Sequence, residues 1–433
     1  MNSIHLDGTS MYVHGEYAKA SEKGVNSVKI EGEVKIQESA PESEMTAIDI
    51  KHGYSRDHRP DLKQFIVDMI CTGDGDIPLY LKIDSGNIDN KSVFVERLKE
   101  FKKAWTFEGV NVADSALYTK DNIIAMREMK WITRVPLSIK LAQDKILNIE
   151  DNEWTDSEIS GYKMVEKSSD YGESEQRWLI VESEARKKSS IQQVNKQVEK
   201  QKEKASAALR KLSKQEFACE PDAKMAIEKL SNSFKYHKIT NIQCQEKAEY
   251  EQSGRPSKLT KPHKIIYRVT GELETKLEAI EAEKTQAGRF ILATNIIDKN
   301  ELSNESVLKE YKAQQSTERG FRFLKDPLFF TSSVFVKSPS RVSAIAMIMG
   351  LGLLVYTLAQ RKLRQALESS GVCVKNQVKK FTNKPTMRWV FQVFQAVHLV
   401  IVNGQKQVSN LTVEHRKILD GLGIVCRQYY LMI

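Results

Sequence analysis

Two seven-residue apolar runs, FIVDMIC (Phe65 to Cys71) and IPLYLKI (Ile77 to Ile83), stand on either side of the turn TGDGD. Apolar runs of that length joined by a Gly/Asp turn pair as a β-hairpin. A hairpin alone is marginally stable in water, so further strands and helices must cover it. The chain supplies them in order. SIHLDGTSMYV (Ser3 to Val13) holds strand-forming residues around one acid, Asp7, and the polar HGYSRDHRPD (His52 to Asp61) suits a loop. After the hairpin, SVFVERLKEFKKAW (Ser92 to Trp105) repeats Phe94, Val95, Leu98, Phe101, Ala104 and Trp105 on one helical stripe. Strand VNVADSAL (Val110 to Leu117), helix TKDNIIAMREMK (Thr119 to Lys130) and strand WITRVPL (Trp131 to Leu137) follow. The turn acids Asp74 and Asp76 read as servants of backbone geometry rather than metal ligands.

Three strands, helix, strand, helix, strand is the element order of an α/β domain of the ribonuclease H-like kind (retroviral integrase superfamily). Its mixed sheet carries acids on adjacent strand ends. That order fills residues 1–141. Residues 142–295 then turn very polar and read as an inserted α+β subdomain. Its long helix, Ser189 to Gln215, carries Ile191, Val194, Val198, Ala205, Leu209 and Leu212 at helical spacing. Packing inside its own subdomain suits that stripe better than a coiled coil. Strand-like pieces RWLIVES (Arg177 to Ser183) and HKIIYRVT (His263 to Thr270) lie around it, and GRFILATN (Gly288 to Asn295) closes it. Residues 296–330 hold a helix from about Asn304 to Lys325, stopped by Asp326-Pro327. Residues 331–433 read as a helical C-terminal region. In it, the uncharged stretch 342–360 reads as a buried core helix rather than a membrane span, and Arg388 to Val402 as a second packed helix.

Charge is uneven along the 433 residues. Residues 319–433 hold 17 Lys and Arg against 4 Asp and Glu, a net of +13, while the preceding 318 residues carry a net of −4. A concentrated positive field suits a polyanion, although a basic solvated surface is the commoner meaning of such an excess. Five scattered cysteines (Cys71, Cys219, Cys244, Cys373, Cys426) form no CxxC pair and read as thiols of a reducing compartment. Met1 to Gly8 lack the basic and apolar regions of a signal peptide, so a cytoplasmic location is expected.

Three acids read jointly: Asp7 in the first strand, Asp114 in VNVADSAL and Glu318 in the later helix. If the first and fourth strands are neighbours, Asp7 and Asp114 converge, and a divalent cation relieves their repulsion. Carboxylate oxygens favour Mg2+ or Mn2+, and two such ions about 4 Å apart can clamp the attacking and leaving oxygens of a phosphodiester. At 100° per residue, Tyr311, Gln314, Glu318, Arg322 and Lys325 fall within about 80° of arc on one continuous helix. The bland reading is a solvated face with an i,i+4 pair between Glu318 and Arg322.

These residues resemble the DDE transposases of the insertion sequence four family, in the subgroup with an inserted domain before the last acid. The family signature is Tyr, two residues, Arg, three residues, Glu, six residues, Lys. Here YKAQQSTERGFRFLK places Tyr311, Glu318 and Lys325 in register, with Gln314 where Arg is expected. HLDGTSMYVHGEY, HGYSRDHRPDLKQ, ADSALYT and ERGFRFLKDP also look like that family. The resemblance implies a metal-dependent transposase acting on double-stranded DNA, at transposon ends and target, with a homodimer expected on DNA and no membrane. It implies Asp7, Asp114 and Glu318 as ligands of two ions, Tyr311 and Lys325 as phosphate holders, and Arg322 as a substitute for the missing arginine. Phe290 would correspond to a tryptophan that stacks an extruded base, although a strand Phe more often belongs to the core. Relatives carry a DNA-binding domain ahead of the first Asp, whereas this chain begins six residues before Asp7; loss of specific end recognition is therefore expected. Two other functions share the same residues: a non-catalytic DNA-binding remnant, and a two-metal nuclease that lacks strand joining.

Overall fold

The computed structural model describes residues 2–15, 17, 48–55, 58–74, 76–249, 263–325 and 338–431. Arg56, Asp57 and Gly75 of the sequence motifs, and the helix stop at Asp326-Pro327, lie outside the described residues. The protein is mixed α/β and divides into two compact units. One comprises Met1–Arg134, Ser169–Arg177 and Ala293–Ile433, the other Val135–Ser168 and Trp178–Leu292.

The first unit opens with β1 (Ser3–Val13), β2 (Lys63–Thr72), β3 (Pro78–Ser85), α1 (Asn90–Ala104), β4 (Val110–Ala113), α2 (Lys120–Ala125) and β5 (Trp131–Val135). The strands lie in the order β3-β2-β1-β4-β5. The hairpin β2-β3 is antiparallel and β2 pairs antiparallel with β1, whereas β1-β4 and β4-β5 are parallel. Side chains alternate across such a sheet, so β2 divides its residues between two covers. Asp68 faces α1, whose Arg97 reaches it at 3.3 Å and also pairs with Asp84 of β3, beside Glu100 at 3.4 Å. Met69, Val67 and Phe65 face the opposite way.

The second unit holds α3 (Lys140–Leu147), β6 (Thr155–Asp156), β7 (Tyr162–Ser169), β8 (Gln176–Ser183), α4 (Glu184–Leu212), α5 (Glu220–Asn232), β9 (His237–Glu249), β10 (Lys264–Thr275), α6 (Leu277–Gln286) and β11 (Arg289–Thr294). Its strands run β11-β8-β7-β6, and β9 and β10 form a separate antiparallel hairpin. α4 packs within this unit: Leu209 and Leu212 join Ala223 and Ile227 of α5 and Ile239 and Val269 of the hairpin. The insertion is therefore an α+β body whose long helix is a packing element.

The chain returns to the first unit with α7 (Asn304–Ala313), α8 (Gln315–Leu324), α9 (Pro339–Ser370), β12 (Val374–Lys375), β13 (Phe381–Thr382), α10 (Met387–Phe394), β14 (His398–Val402), β15 (Gln405–Ser409), α11 (Val413–Leu422) and α12 (Ile424–Leu431). Phe321 and Leu324 of α8, with Val342, Ala346, Met349 and Leu353 of α9, bury Met11, Val13, Phe65, Val67, Met69 and Cys71. Further along, Leu363 and Leu367 of α9 pack with Val374, Met387, Val390 and Ile418. Ser338 caps α9 ahead of Pro339, and Gly371, at φ 67°, ends it in the left-handed conformation that glycine adopts without strain.

Three sequence expectations are corrected here. The stretch 342–360 is a helix, but it is buried along one side only. Arg388 to Val402 is not one helix: α10 stops at Phe394, and β14 turns back through Asn403-Gly404, both at positive φ, into β15. An Asn-Gly pair between two extended runs is the sequence signal for such a hairpin, so the C-terminal region is not purely helical. Finally, the helix expected from Asn304 to Lys325 breaks at Gln314.

Candidate functional site

β1 buries a polar strip. Ser3, His5, Asp7 and Thr9 alternate onto one face and all are buried. A strip like this costs free energy unless its groups are partnered. Its location explains the burial: register sets His5 against Cys71, Asp7 against Met69 and Thr9 against Val67, on the face that α8 covers.

On the other side of β1, the parallel pairing with β4 ends at Leu6 opposite Ala113. The next residues are Asp7, still within β1, and Asp114, just past the end of β4, so the two acids follow the last paired position at the same level on strands that lie about 4.8 Å apart. The carboxyl ends of parallel strands are where open α/β sheets bind ligands. Local hydrogen bonds orient both side chains. Asp7 Oδ1 accepts the Gly8 amide at 2.8 Å, and Asp114 Oδ1 accepts the Ala116 amide at 2.8 Å. The Thr133 hydroxyl of β5 donates to the Asp114 carbonyl at 2.7 Å.

α7 and α8 pass over the same region. Ser3 Oγ donates to Glu310 Oε2 at 2.5 Å, and His5 Nε2 lies 3.7 Å from the same oxygen. The imidazole of His5 holds the Glu310 carboxyl below the usual carboxylate range; burial opposes this, and the Ser3 hydroxyl adds to it. His5 is 0% exposed, and its Nδ1 has no hydrogen-bond partner among the described residues. Thr317, the residue before Glu318, is buried beside Cys71, whose thiol burial pushes far up. A Cβ on Gly320 would sit 2.8 Å from Met69 Cε and 3.2 Å from Leu353 Cδ2, so glycine lets α8 approach the sheet closely.

The break between α7 and α8 changes the helix face expected from the sequence. Gln314 donates to the Tyr311 carbonyl at 3.2 Å and accepts from the Thr317 amide at 3.1 Å, both spans of three residues rather than four. Tightened turns of this kind rotate everything that follows relative to a uniform 100° step. Gln314 is buried, whereas Glu318 and Arg322 are exposed and Tyr311 and Lys325 half-buried. The five residues therefore do not form one continuous face. Tyr311 belongs to α7, Glu318 to the first turn of α8, Arg322 and Lys325 to its last turn and C-cap, and Gln314 to the core between the two helices.

Sequence reasoning missed His5, Ser3 and Glu310; the alternation of polar residues on β1 is the signal that points to the first two. It also missed the turn acids' partners. Asp76 pairs with Arg319 of α8 and Asp74 with Arg361 of α9, each at 2.9 Å. The Asp74 carboxyl is held low despite its burial, by the Thr72 hydroxyl and Arg361. Between α8 and α9 a cavity of about 220 Å³ is lined by Arg319, Arg364, Gln360 and Thr386, among others. In the second unit, Phe290 is 3% exposed, with the Arg186 guanidinium 5.4 Å from its ring centroid. It sits in the core rather than on an open stacking platform.

The donor chemistry of Asp7 and Asp114 fits a hard divalent cation. Their carboxylates are preset by local amide hydrogen bonds, and Asp7 belongs to the buried strip that also holds an unpartnered His5 nitrogen. A complete three-residue group is not gathered: among the described residues no three His, Cys, Asp or Glu stand close enough together to hold a metal ion. Comparison with protein families, with curated proteins and with solved structures finds no match.

Proposed function

We propose that this chain carries the catalytic region of a DNA transposase, cleaving phosphodiesters in a metal-dependent reaction and joining the freed ends to target DNA. The single observation behind this reading is the register of β1 and β4, whose parallel pairing ends one residue short of Asp7 and Asp114. The resemblance to the insertion sequence four family and the ribonuclease H-like order of elements support it. So does the net of +13 over residues 319–433. With all five cysteines free, the reading includes a reducing, cytoplasmic setting.

In this reading Asp7 and Asp114 would hold Mg2+ or Mn2+, and Glu318, which is not gathered with them among the described residues, would have to close in as the third carboxylate. Bound there, two such ions supply charge stabilisation for the attacking and leaving oxygens of an in-line displacement. The chain's own residues do the positioning. Lys325 and Arg322, at the end of α8, hold phosphates beside the scissile bond, and the Tyr311 hydroxyl donates to another. Contacts of this type fix register without reading sequence. His5, Ser3 and Glu310 anchor α7 to the start of β1, which keeps the helix pair over the acids. Two copies on DNA would bring two ends together.

A second reading has an observation in its favour. Gln314 replaces the signature arginine, and no three-residue metal group is assembled, as expected of a DNA-binding remnant that has lost cleavage. Nicking of a supercoiled plasmid in Mg2+ or Mn2+ separates the two. Transposase activity requires nicking by the wild type that Asp7→Asn, Asp114→Asn and Glu318→Gln each abolish, followed by strand transfer of pre-cut ends. Nicking without strand transfer would assign a nuclease. Tight binding with no nicking would assign the remnant.

A further inference from the structure

α9 buries one side and leaves the other uncovered, and the uncovered side has a regular spacing. Ala344, Ile348, Leu351, Val355 and Leu358 follow one another at intervals of four, three, four and three residues, and Lys362 and Gln365 continue the same exposed line. Alternating steps of four and three are the seam positions of a heptad repeat. The residues are open to solvent: Ile348 and Val355 are 67% exposed, Leu351 61% and Leu358 45%. Meanwhile Val342, Ala346, Met349 and Leu353, on the opposite side of the helix, anchor it in the first unit's core.

We infer that this seam pairs with the same seam of a second copy, as a parallel two-stranded coiled coil. Residue chemistry selects that partner. Ile348 and Val355 occupy one seam position and Leu351 and Leu358 the other, and β-branched residues at a with leucine at d favour two parallel strands. A two-fold axis along the helix pair puts each residue opposite its own copy, as an isologous interface requires. Lys362, the next a position, falls against Lys362; a polar residue there limits the length of the seam and fixes its register.

The area is that of a modest dimer. Fully burying one such side chain removes on the order of 100 Å² of apolar surface. At the exposures above, with Met347 alongside at 52%, about 300 Å² per copy remains to be covered. Apolar surface makes up roughly 60% of an interface, which scales to about 1,000 Å² in total, the size at which specific association begins. A membrane fits less well. α9 is the one helix among the described residues long and apolar enough to cross a bilayer, yet its other side is committed to the sheet. The inference is independent of the proposed transposase activity and concerns the chain without DNA.

Sedimentation equilibrium of the full chain without DNA should give an apparent mass twice 49.4 kDa at tens of micromolar protein. Leu351→Glu combined with Leu358→Glu should restore 49.4 kDa and weaken self-association at least tenfold, with the thermal melt unchanged at dilutions where the wild type is itself monomeric, because both side chains are exposed. Register is read with single reporters, Leu351→Cys and Leu358→Cys, each in a chain also carrying Cys373→Ser and Cys426→Ser. A short bismaleimide should link both reporters to themselves. A monomer throughout, a dimer that survives the two glutamates, or self-linking at only one reporter, as in an antiparallel pair, would each overturn the inference. So would seam-dependent binding of a monomer to neutral phosphatidylcholine vesicles.

Discussion

Replacing Arg97 by methionine keeps most of the side chain's length and removes the cation that ties α1 to the back of the sheet. The Arg97 side chain is 5% exposed and faces Asp68, which is fully buried, and Asp84, which is nearly so. Breaking a buried pair by deleting one partner costs about 3 to 5 kcal/mol, because the remaining charge is stranded in a poorly solvated place. At roughly 2 to 4 °C per kcal/mol for a unit of this size, the transition that unfolds the first unit should fall by about 10 °C. Two units unfold together or apart, so the assay is thermal unfolding followed by amide exchange of the α1 segment, not a single two-state fit. Adding Asp68→Asn should recover at least half of the loss at neutral pH. An Arg97→Met cost under about 1 kcal/mol, or no recovery in the double variant, would refute the reasoning that this network is a buried, mutually dependent one.

Three further outcomes are expected. Glu310→Gln should flatten the acid limb of the stability curve: the low Glu310 pKa contributes stability above the ordinary carboxylate range and loses it as pH falls through the lowered value, so wild type and variant should converge in strong acid. Gly320→Val should loosen α8 by about 1 to 3 kcal/mol, seen as faster exchange of α8 amides, because its side chain meets Met69 and Leu353. Replacing the exposed Lys379, Lys380 and Lys384 by glutamine should lower the slope of log affinity for duplex DNA against log salt by up to about 3, since each neutralised phosphate contributes about 0.9. Deleting the basic segment would not test its role, because α9 is part of the core under Met69 and Phe65 and cannot be removed without uncovering it.

Local pattern made much of the fold legible. β1 runs from Ser3 to Val13 as its strand-forming residues indicate, and the two apolar runs around TGDGD form the β2-β3 hairpin. That the first and fourth strands are neighbours was also legible from the order of elements. The rest depends on tertiary contacts. A uniform 3.6-residue period cannot register the tightened turn at Gln314, and that turn is what separates Tyr311 from the face of Glu318 and Arg322. The lack of charge over 342–360 reads as a buried core helix, while the structure covers only the side bearing Met349 and Leu353. Asn403-Gly404 was visible as a turn signal, yet the apolar run before it has helical and extended readings of similar merit, and the hairpin geometry decides between them. The Ser3-His5-Glu310 cluster joins residues over 300 positions apart, beyond the reach of any local period.

Binding of Mn2+ to the wild-type chain and to Asp7→Asn, Asp114→Asn and Glu318→Gln, followed by electron paramagnetic resonance of the free ion, tests the central claim most directly. The account predicts that the wild type binds Mn2+, that either aspartate substitution removes that binding, and that Glu318→Gln weakens it, with each variant folded as the wild type is. Binding that is unaffected by Asp7→Asn and Asp114→Asn, or no binding by the wild type up to millimolar metal, would contradict it.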